Sequence, residues 1–404
     1  MKTRNAIRCL FVAAVVSLCG ALGSAAESAA VQPMIGVPPA EPKPLVQMAI
    51  LLDTSGSMSG LIDQARTELW SIVNEFILTE RGGRQPEIQV ALYEYGNDGL
   101  LQETGWIRQI VPFTTDLDKV SEELFALKTN GGQEYCGWVI REATQRLLWS
   151  SSPDDLKVIF IAGNEPFTQG SVDYREVCKA AIAKGIIVNT IHCGGEQEGI
   201  DGKWKDGAVL ADGRYLNINH NQQIVHIPAP QDKEIAELGT RLNLTYVPFG
   251  AQGQVAQERQ MAQDDNATNA SPQAGLQRAL TKSSQYYMNS TWDLVDAVRT
   301  NQVDLSSVKA EELPENMRDM NAEQRSAYVA TKSKDRAEIQ AKIQKLNVQR
   351  SQFVAEEMKN RQQQGNTLGS AVKQAVRDQA ARKNYTFKPA DPPTDAVEGR
   401  PTEK

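Results

Sequence analysis

Histidine is nearly missing from this chain, with three in 404 residues. His192, His220 and His226 have none of the His-x-x-x-His spacing that seats zinc on one helix face, so no transition-metal site is signalled. Cysteine is scarce as well, at five residues. Glycine patterns for common chemistry are absent. There is no Gly-x-Ser-x-Gly elbow, no phosphate loop and no Gly-x-Gly-x-x-Gly fingerprint, only the short pair Gly131-Gly132. An excess of positive charge is missing too. The formal charge is −7, which argues against nonspecific nucleic-acid binding through Lys and Arg contacts to phosphate. Beyond the first 26 residues no stretch is apolar and long enough to span a bilayer, which takes about 20 residues.

What is present begins with a secretory pattern. Lys2, Arg4 and Arg8 form a basic start, Cys9 to Leu22 is apolar, and Ser24, Ala25 and Ala26 offer a small-residue cleavage site. Residues 1–26 therefore read as a signal peptide, and the chain as secreted or, in a Gram-negative host, periplasmic. Removing that segment takes three positive charges and no negative ones, so −7 becomes −10. It also removes Cys9 and Cys19 and leaves Cys136, Cys178 and Cys193. Residues 27–44 are a linker in which Pro33, Pro38, Pro39, Pro42 and Pro44 deny backbone hydrogen bonds.

From residue 45 the pattern changes. Val46 to Leu52 is a continuous apolar run, as in a strand buried on both faces of a parallel sheet. Leu61, Ala65, Leu69, Ile72 and Phe76 then share a helix face. Ile88–Tyr95 and Ile107–Phe113 read as strands with no helix between them, which predicts one antiparallel edge hairpin. Helices are expected over Leu117–Leu127, over Trp138–Leu148 and around Val177. Further strands are expected at Val158–Ile161, Ile186–His192 and Leu244–Phe249, the last preceded by a helix carrying Ile235 and Leu238. This alternation predicts an α/β fold: a doubly wound, mostly parallel six-stranded sheet with helices on both faces over residues 45–250. Residues 194–230 read as an insertion, with a hairpin turn at Ala211–Asp212–Gly213–Arg214. Residues 251–388 read as an α-helical extension with a long amphipathic helix over 321–360, a weaker one over 367–383, and a Pro-rich tail from 389 to 404.

The chemistry is concentrated in Asp53-Thr54-Ser55-Gly56-Ser57, directly after the first buried strand. A carboxylate and two hydroxyls at alternate positions of a tight loop converge on one point, and such oxygen donors suit hard cations. The strand end is also where open α/β sheets place their ligands. The run Leu51-Leu52-Asp53-Thr54-Ser55-Gly56-Ser57-Met58 resembles the metal-ion-dependent adhesion site of von Willebrand factor A domains, and the element order over residues 45–250 is similar to that family. The resemblance implies a non-enzymatic, metal-dependent protein-binding module. It also implies a threonine in a later loop and an aspartate after the fourth strand. Here Glu134 stands where the threonine is usual and Gly163 where the aspartate belongs. Glu134 can return the carboxylate missing at Gly163. The expected site is therefore Asp53, Ser55, Ser57 and Glu134 around a divalent cation, Mg²⁺ first and Mn²⁺ or Ca²⁺ as alternatives. Asn164 or Glu165 would act through water. A partner's acidic side chain would complete the coordination.

Cys136 lies in the Glu134 loop and Cys193 at the end of the strand Ile186–His192, so a Cys136–Cys193 disulfide clamping the loop is expected, with Cys178 a small core residue. Two other functions compete with metal-dependent binding. One is a structural or stress-related envelope module whose degenerate site holds no metal. The other is a hydrolase using Cys136 or the bound ion. In the extension, Ile339, Ile343, Leu346 and Phe353 keep heptad-like spacing interrupted by Arg350. That stripe either folds back on the chain, which is the favoured reading, or pairs with a second copy or a partner as a coiled coil. Asp264-Asp265 reads as a solvated acidic pair.

Overall fold

The structure, a computed structural model, describes residues 43–76, 79–219, 227–361 and 368–387. The signal segment 1–26, residues 27–42 of the linker, His220, His226 and the tail 389–404 lie outside the described residues.

In chain order the elements are β1 (Leu45–Asp53), α1 (Ser59–Asn74), β2 (Thr79–Glu80), β3 (Glu87–Tyr95), β4 (Ile107–Thr114), α2 (Leu117–Ala126), α3 (Cys136–Arg146) and β5 (Leu156–Gly163). Then follow α4 (Tyr174–Ala183), β6 (Ile186–Cys193), α5 (Glu196–Asp201), α6 (Trp204–Leu210), β7 (Tyr215–Ile218) and α7 (Asp232–Asn243). The extension supplies α8 (Gly253–Ala270), α9 (Pro272–Lys282), α10 (Leu294–Arg299), α11 (Glu315–Arg318), α12 (Ala322–Arg361), α13 (Leu368–Arg382) and β8 (Thr386–Phe387).

Among the described residues the main sheet has six strands in the order β4-β3-β1-β5-β6-β7, and β2 pairs with β8 beside it. Every pairing in the main sheet is parallel except the β3–β4 hairpin. β1 is central, and its apolar run is buried because both faces are covered. Val46, Met48 and Leu52 face one core with α1, α2 and α13, whereas Ala49 and Leu51 face the other with α3 and α4. The two-residue period of a strand divides them in this way.

Two expectations need correction. Leu244–Phe249 is not a strand of the sheet. Its backbone is engaged elsewhere: the Val247 amide donates to Asp293 Oδ1 (2.7 Å) and the Phe249 amide to the Trp292 carbonyl (2.8 Å). The sixth strand is instead β7, which lies inside the segment read as an insertion and runs parallel to β6. Accordingly Ala211–Arg214 links α6 to β7 and is not a hairpin turn. Asp212 there has φ +53°, and a side chain on Gly213 would collide with the Val188 carbonyl.

In the extension the long helix folds back. Ile339 and Ile343 are buried against α7 and α9 with Leu346 beside them. Arg350, read as a break in the seam, is buried and paired with Asp232 (2.7 Å). Asp264 is not merely solvated: it holds the buried Arg278 (2.8 Å) and Lys282 (2.5 Å). Helix α13 closes the sheet face through Leu368, Val372 and Val376.

Candidate metal centre

β1 ends on Asp53, and the next residues turn sharply because their polar atoms are taken locally. The Thr54 amide donates to the Tyr95 carbonyl (2.9 Å), tying the turn to the end of β3. The Ser55 amide donates to Asp53 Oδ1 (2.8 Å), and the Met58 amide to the Ser55 carbonyl (3.1 Å), which leads into α1. Ser55 Oγ and Ser57 Oγ lie 3.5 Å apart, and Asn164 Nδ2 donates to Ser57 Oγ (3.3 Å). Asp53 is fully buried, Ser55 is buried and Ser57 is exposed, so the group opens to solvent on the Ser57 side.

Glu134 reaches this group from the loop between α2 and α3. The Asn130 amide donates to the Thr54 carbonyl (3.0 Å), and the Glu134 amide to Gln169 Oε1 (2.6 Å), so the loop is pinned at both ends. A methyl carbon built on Gly96 would stand 2.9 Å from Glu134 Cγ and 3.0 Å from Asp53 Oδ1. The two acidic side chains therefore flank the same glycine, whose φ of +79° favours a residue without Cβ. At Gly163 a methyl carbon would stand 2.5 Å from the Tyr95 hydroxyl and 3.0 Å from Asp53 Oδ2.

Burial and mutual repulsion both disfavour the charged forms of the two carboxyl groups. Burial pushes Asp53 up to about 7, against the pull of the Ser55 and Asn164 donors, and the charge of Glu165 adds to the rise. Burial, then the charges of Asp53 and Glu165, push Glu134 up to about 7 as well. Asp53 Oδ2 and Asn164 Oδ1 are buried without hydrogen-bond partners. An unpaired buried carboxylate oxygen is costly unless something positive meets it. Among the described residues no three His, Cys, Asp or Glu side chains group as a metal cage. The donors here are instead two carboxylates, two hydroxyls and an amide, which fit a hard cation with oxygen ligands.

The cysteines do not pair as the sequence suggested: Cys136, Cys178 and Cys193 are all free. Cys136 packs into the α3–α4 core and Cys193 into the core on the opposite side of the sheet. The sheet separates them, although both lie near its carboxyl edge. Cys136 Sγ meets the Tyr95 hydroxyl (3.8 Å), and Cys193 Sγ the Ile191 carbonyl (3.9 Å). Cys178 is a buried core residue. His192 is buried at its strand end, its Nε2 3.2 Å from the Asn164 carbonyl, and so steadies the loop that carries Asn164. The sequence reading missed Tyr95, Gly96 and Gln169. A glycine directly after an apolar strand end was the available signal for the first two.

Residues 47–200 match the family model of the von Willebrand factor type A domain. No curated protein matches the sequence. Among solved structures, the conserved hypothetical protein BatB from Bacteroides thetaiotaomicron is 18% identical, with TM-score 0.33, over 43% of this chain and 90% of that one. The SpRpn10 VWA domain is 16% identical, with TM-score 0.33, over 45% of this chain and all (100%) of that one. Proximal thread matrix protein 1 from the mussel byssus, with a zinc-occupied MIDAS motif, is 12% identical, with TM-score 0.33, over 43% of this chain and 42% of that one. Over residues 47–200, then, this chain carries a von Willebrand factor type A domain.

Proposed function

We propose that the protein is a non-enzymatic binding module that grips a protein partner through a divalent cation, Mg²⁺ foremost, held by Asp53, Ser55, Ser57 and Glu134. The observation that carries this reading is the buried, unpartnered Oδ2 of Asp53, with Glu134 beside the same carboxylate. Ser57 is on the exposed side, where a partner can approach, with the buried Ser55 hydroxyl 3.5 Å behind it. Asn164 orients Ser57 and keeps its own Oδ1 unpaired, which suits a water-mediated contact. The ion, when bound, supplies an exchangeable coordination position for a partner's oxygen donor, and the resemblance implies that this donor is an acidic side chain. The basic and apolar start of the sequence supports work outside the cytoplasm, by secretion or in the periplasm.

The chemistry of Cys136 supports binding over hydrolysis. Its thiol is buried, and burial pushes its pKa well above the ordinary thiol value, so it is a poor source of thiolate. Isothermal titration of the purified chain with Mg²⁺ and Mn²⁺ tests the reading. Saturable heats in the wild type that vanish in Asp53→Ala support it. Absence of binding in a folded wild type sinks it and leaves the metal-free envelope module.

A further inference from the structure

We propose that Tyr95 and Gly96, adjacent at the end of β3, decide which loop supplies the second carboxylate of the metal site. Tyr95 excludes it from position 163, and Gly96 admits it from Glu134. This inference rests on the cation reading given above.

Glu165 is near enough for its charge to be felt by Asp53, but two other places are fixed against the Asp53 side chain by close packing around a glycine. One is the end of β5, where Gly163 packs against Asp53 Cβ and Oδ2. The other is the Glu134 loop. At the first, the space a side chain would occupy is filled. The Tyr95 hydroxyl stands 2.5 Å from the position of a Cβ on Gly163, closer than real Cβ contacts come. Tyr95 has no room to withdraw: it is fully buried, its hydroxyl donates to the Ala162 carbonyl (3.0 Å), and Cys136 Sγ lies against that hydroxyl at 3.8 Å. At the second place the next residue along opens the way. Gly96 leaves free the volume into which Glu134 Cγ and Asp53 Oδ1 both project. Any larger residue there would press on both side chains and would also strain a backbone at φ +79°. Tyr95 further holds the Asp53 turn through its own carbonyl, which accepts from the Thr54 amide and hydroxyl. Tyr95 and Gly96 are positioning residues and do not themselves touch the ion.

The test is a variant series read by Mn²⁺ titration and thermal melting of the full chain. Glu134→Gln is expected to weaken Mn²⁺ binding by more than the roughly tenfold that losing a mere outer-shell partner costs, since it removes a proposed ligand. Adding Gly163→Asp to that variant is expected to leave binding weak and to lower the melting temperature, because Tyr95 blocks the new side chain. Adding Tyr95→Phe as well is expected to bring both back to within a few-fold and a few degrees of wild type. Recovery of binding by Glu134→Gln/Gly163→Asp with Tyr95 intact overturns the proposal. So does a triple variant that melts like wild type yet still binds weakly. If wild type itself takes up no Mn²⁺, the cation reading fails, and the steric claim is decided without metal. Gly163→Ala should then lower the melting temperature by several degrees beside Tyr95 and much less beside Tyr95→Phe. Equal shifts in the two backgrounds, or none, overturn it. The same metal-free comparison decides the matter if the triple variant does not fold.

Discussion

Arg336 of the long helix grips Asp293 with both arms: Nη1 lies 2.7 Å from Oδ2 and Nη2 3.2 Å from Oδ1, and both residues are buried. Asp293 also caps α10 by accepting the Asp296 amide (2.9 Å) and holds the Val247 amide (2.7 Å). One carboxylate therefore joins α12, α10 and the chain leaving α7. Breaking a buried pair by removing one partner costs about 3–5 kcal/mol, because the other charge is stranded. Arg336→Met should lose that much in denaturant unfolding. Adding Asp293→Asn should recover part of the loss: the cap survives and one of the two carboxylates facing Arg336 is neutralised, while Asp296, 3.1 Å from Nη1, keeps Arg299 as a partner (3.0 Å). A double variant as unstable as the sum of the single ones would show that the pair is not coupled.

Cation binding should appear as stability. A ligand that binds only the folded state at about 100 times its Kd adds about 2.7 kcal/mol. Saturating Mg²⁺ should therefore raise the melting temperature of wild type, and excess chelator should reverse the rise. Asp53→Asn should abolish the response. In chelator that variant should be at least as stable as wild type, because it removes a buried carboxylate whose Oδ2 has no partner. A chelator-treated Asp53→Asn that melts well below wild type would show that the carboxylate is structural.

Asp264 should dominate part of the acid unfolding. Burial alone would raise its pKa, but Lys282 and Arg278 outweigh that and hold it below the ordinary carboxylate value. A lowered folded pKa gives stability that is present above the unfolded value, near 3.9, and is lost as pH falls through the folded one. Urea midpoints of wild type should therefore drop as the medium is taken below about pH 4. Asp264→Asn should be less stable at neutral pH and lose less on acidification. A parallel acid limb in the two proteins would remove Asp264 from this role.

The cysteine thiols should be silent in the native state. Cys136, Cys178 and Cys193 are free and buried, and burial raises the pKa of each. A thiol reagent should label them only upon unfolding, and a reductant should leave the melting temperature unchanged. Mass mapping that found Cys136 joined to Cys193 would contradict the two-sided arrangement of the sheet.

The fold-back of α12 predicts a cost inside one chain. Ile343 is fully buried against α7 and α9, whereas Leu244 is exposed. Ile343→Ala should lose about 2–5 kcal/mol, independently of protein concentration, and Leu244→Ala close to nothing. A loss that grew on dilution would point to self-association through this stripe.

Much of the architecture was legible because it follows from local pattern. The buried run of β1, the amphipathic spacing of α1 and α12, and the hairpin at Ile88–Phe113 each announce themselves within a few residues. Asp53, Ser55 and Ser57 were legible for the same reason, since their convergence is fixed by one short turn. The sixth strand was misread because Tyr215–Ile218 is short and half exposed, whereas Thr245–Val247 is buried for another purpose, as a seat for Arg336.

By itself the sequence determined the alternating α/β order, the position of the oxygen-rich turn and the acidic character of the chain, because these depend on residue type and near-neighbour spacing. Glu134 beside Asp53 was expected from the family resemblance, but tertiary structure alone decided that the two pack across Gly96, that Tyr95 fills the space beside Gly163, and that Cys136 and Cys193 fall on opposite sides of the sheet. Each of those facts depends on which atoms occupy a volume of a few ångströms after distant strands and loops have packed, and no spacing along the chain encodes that occupancy.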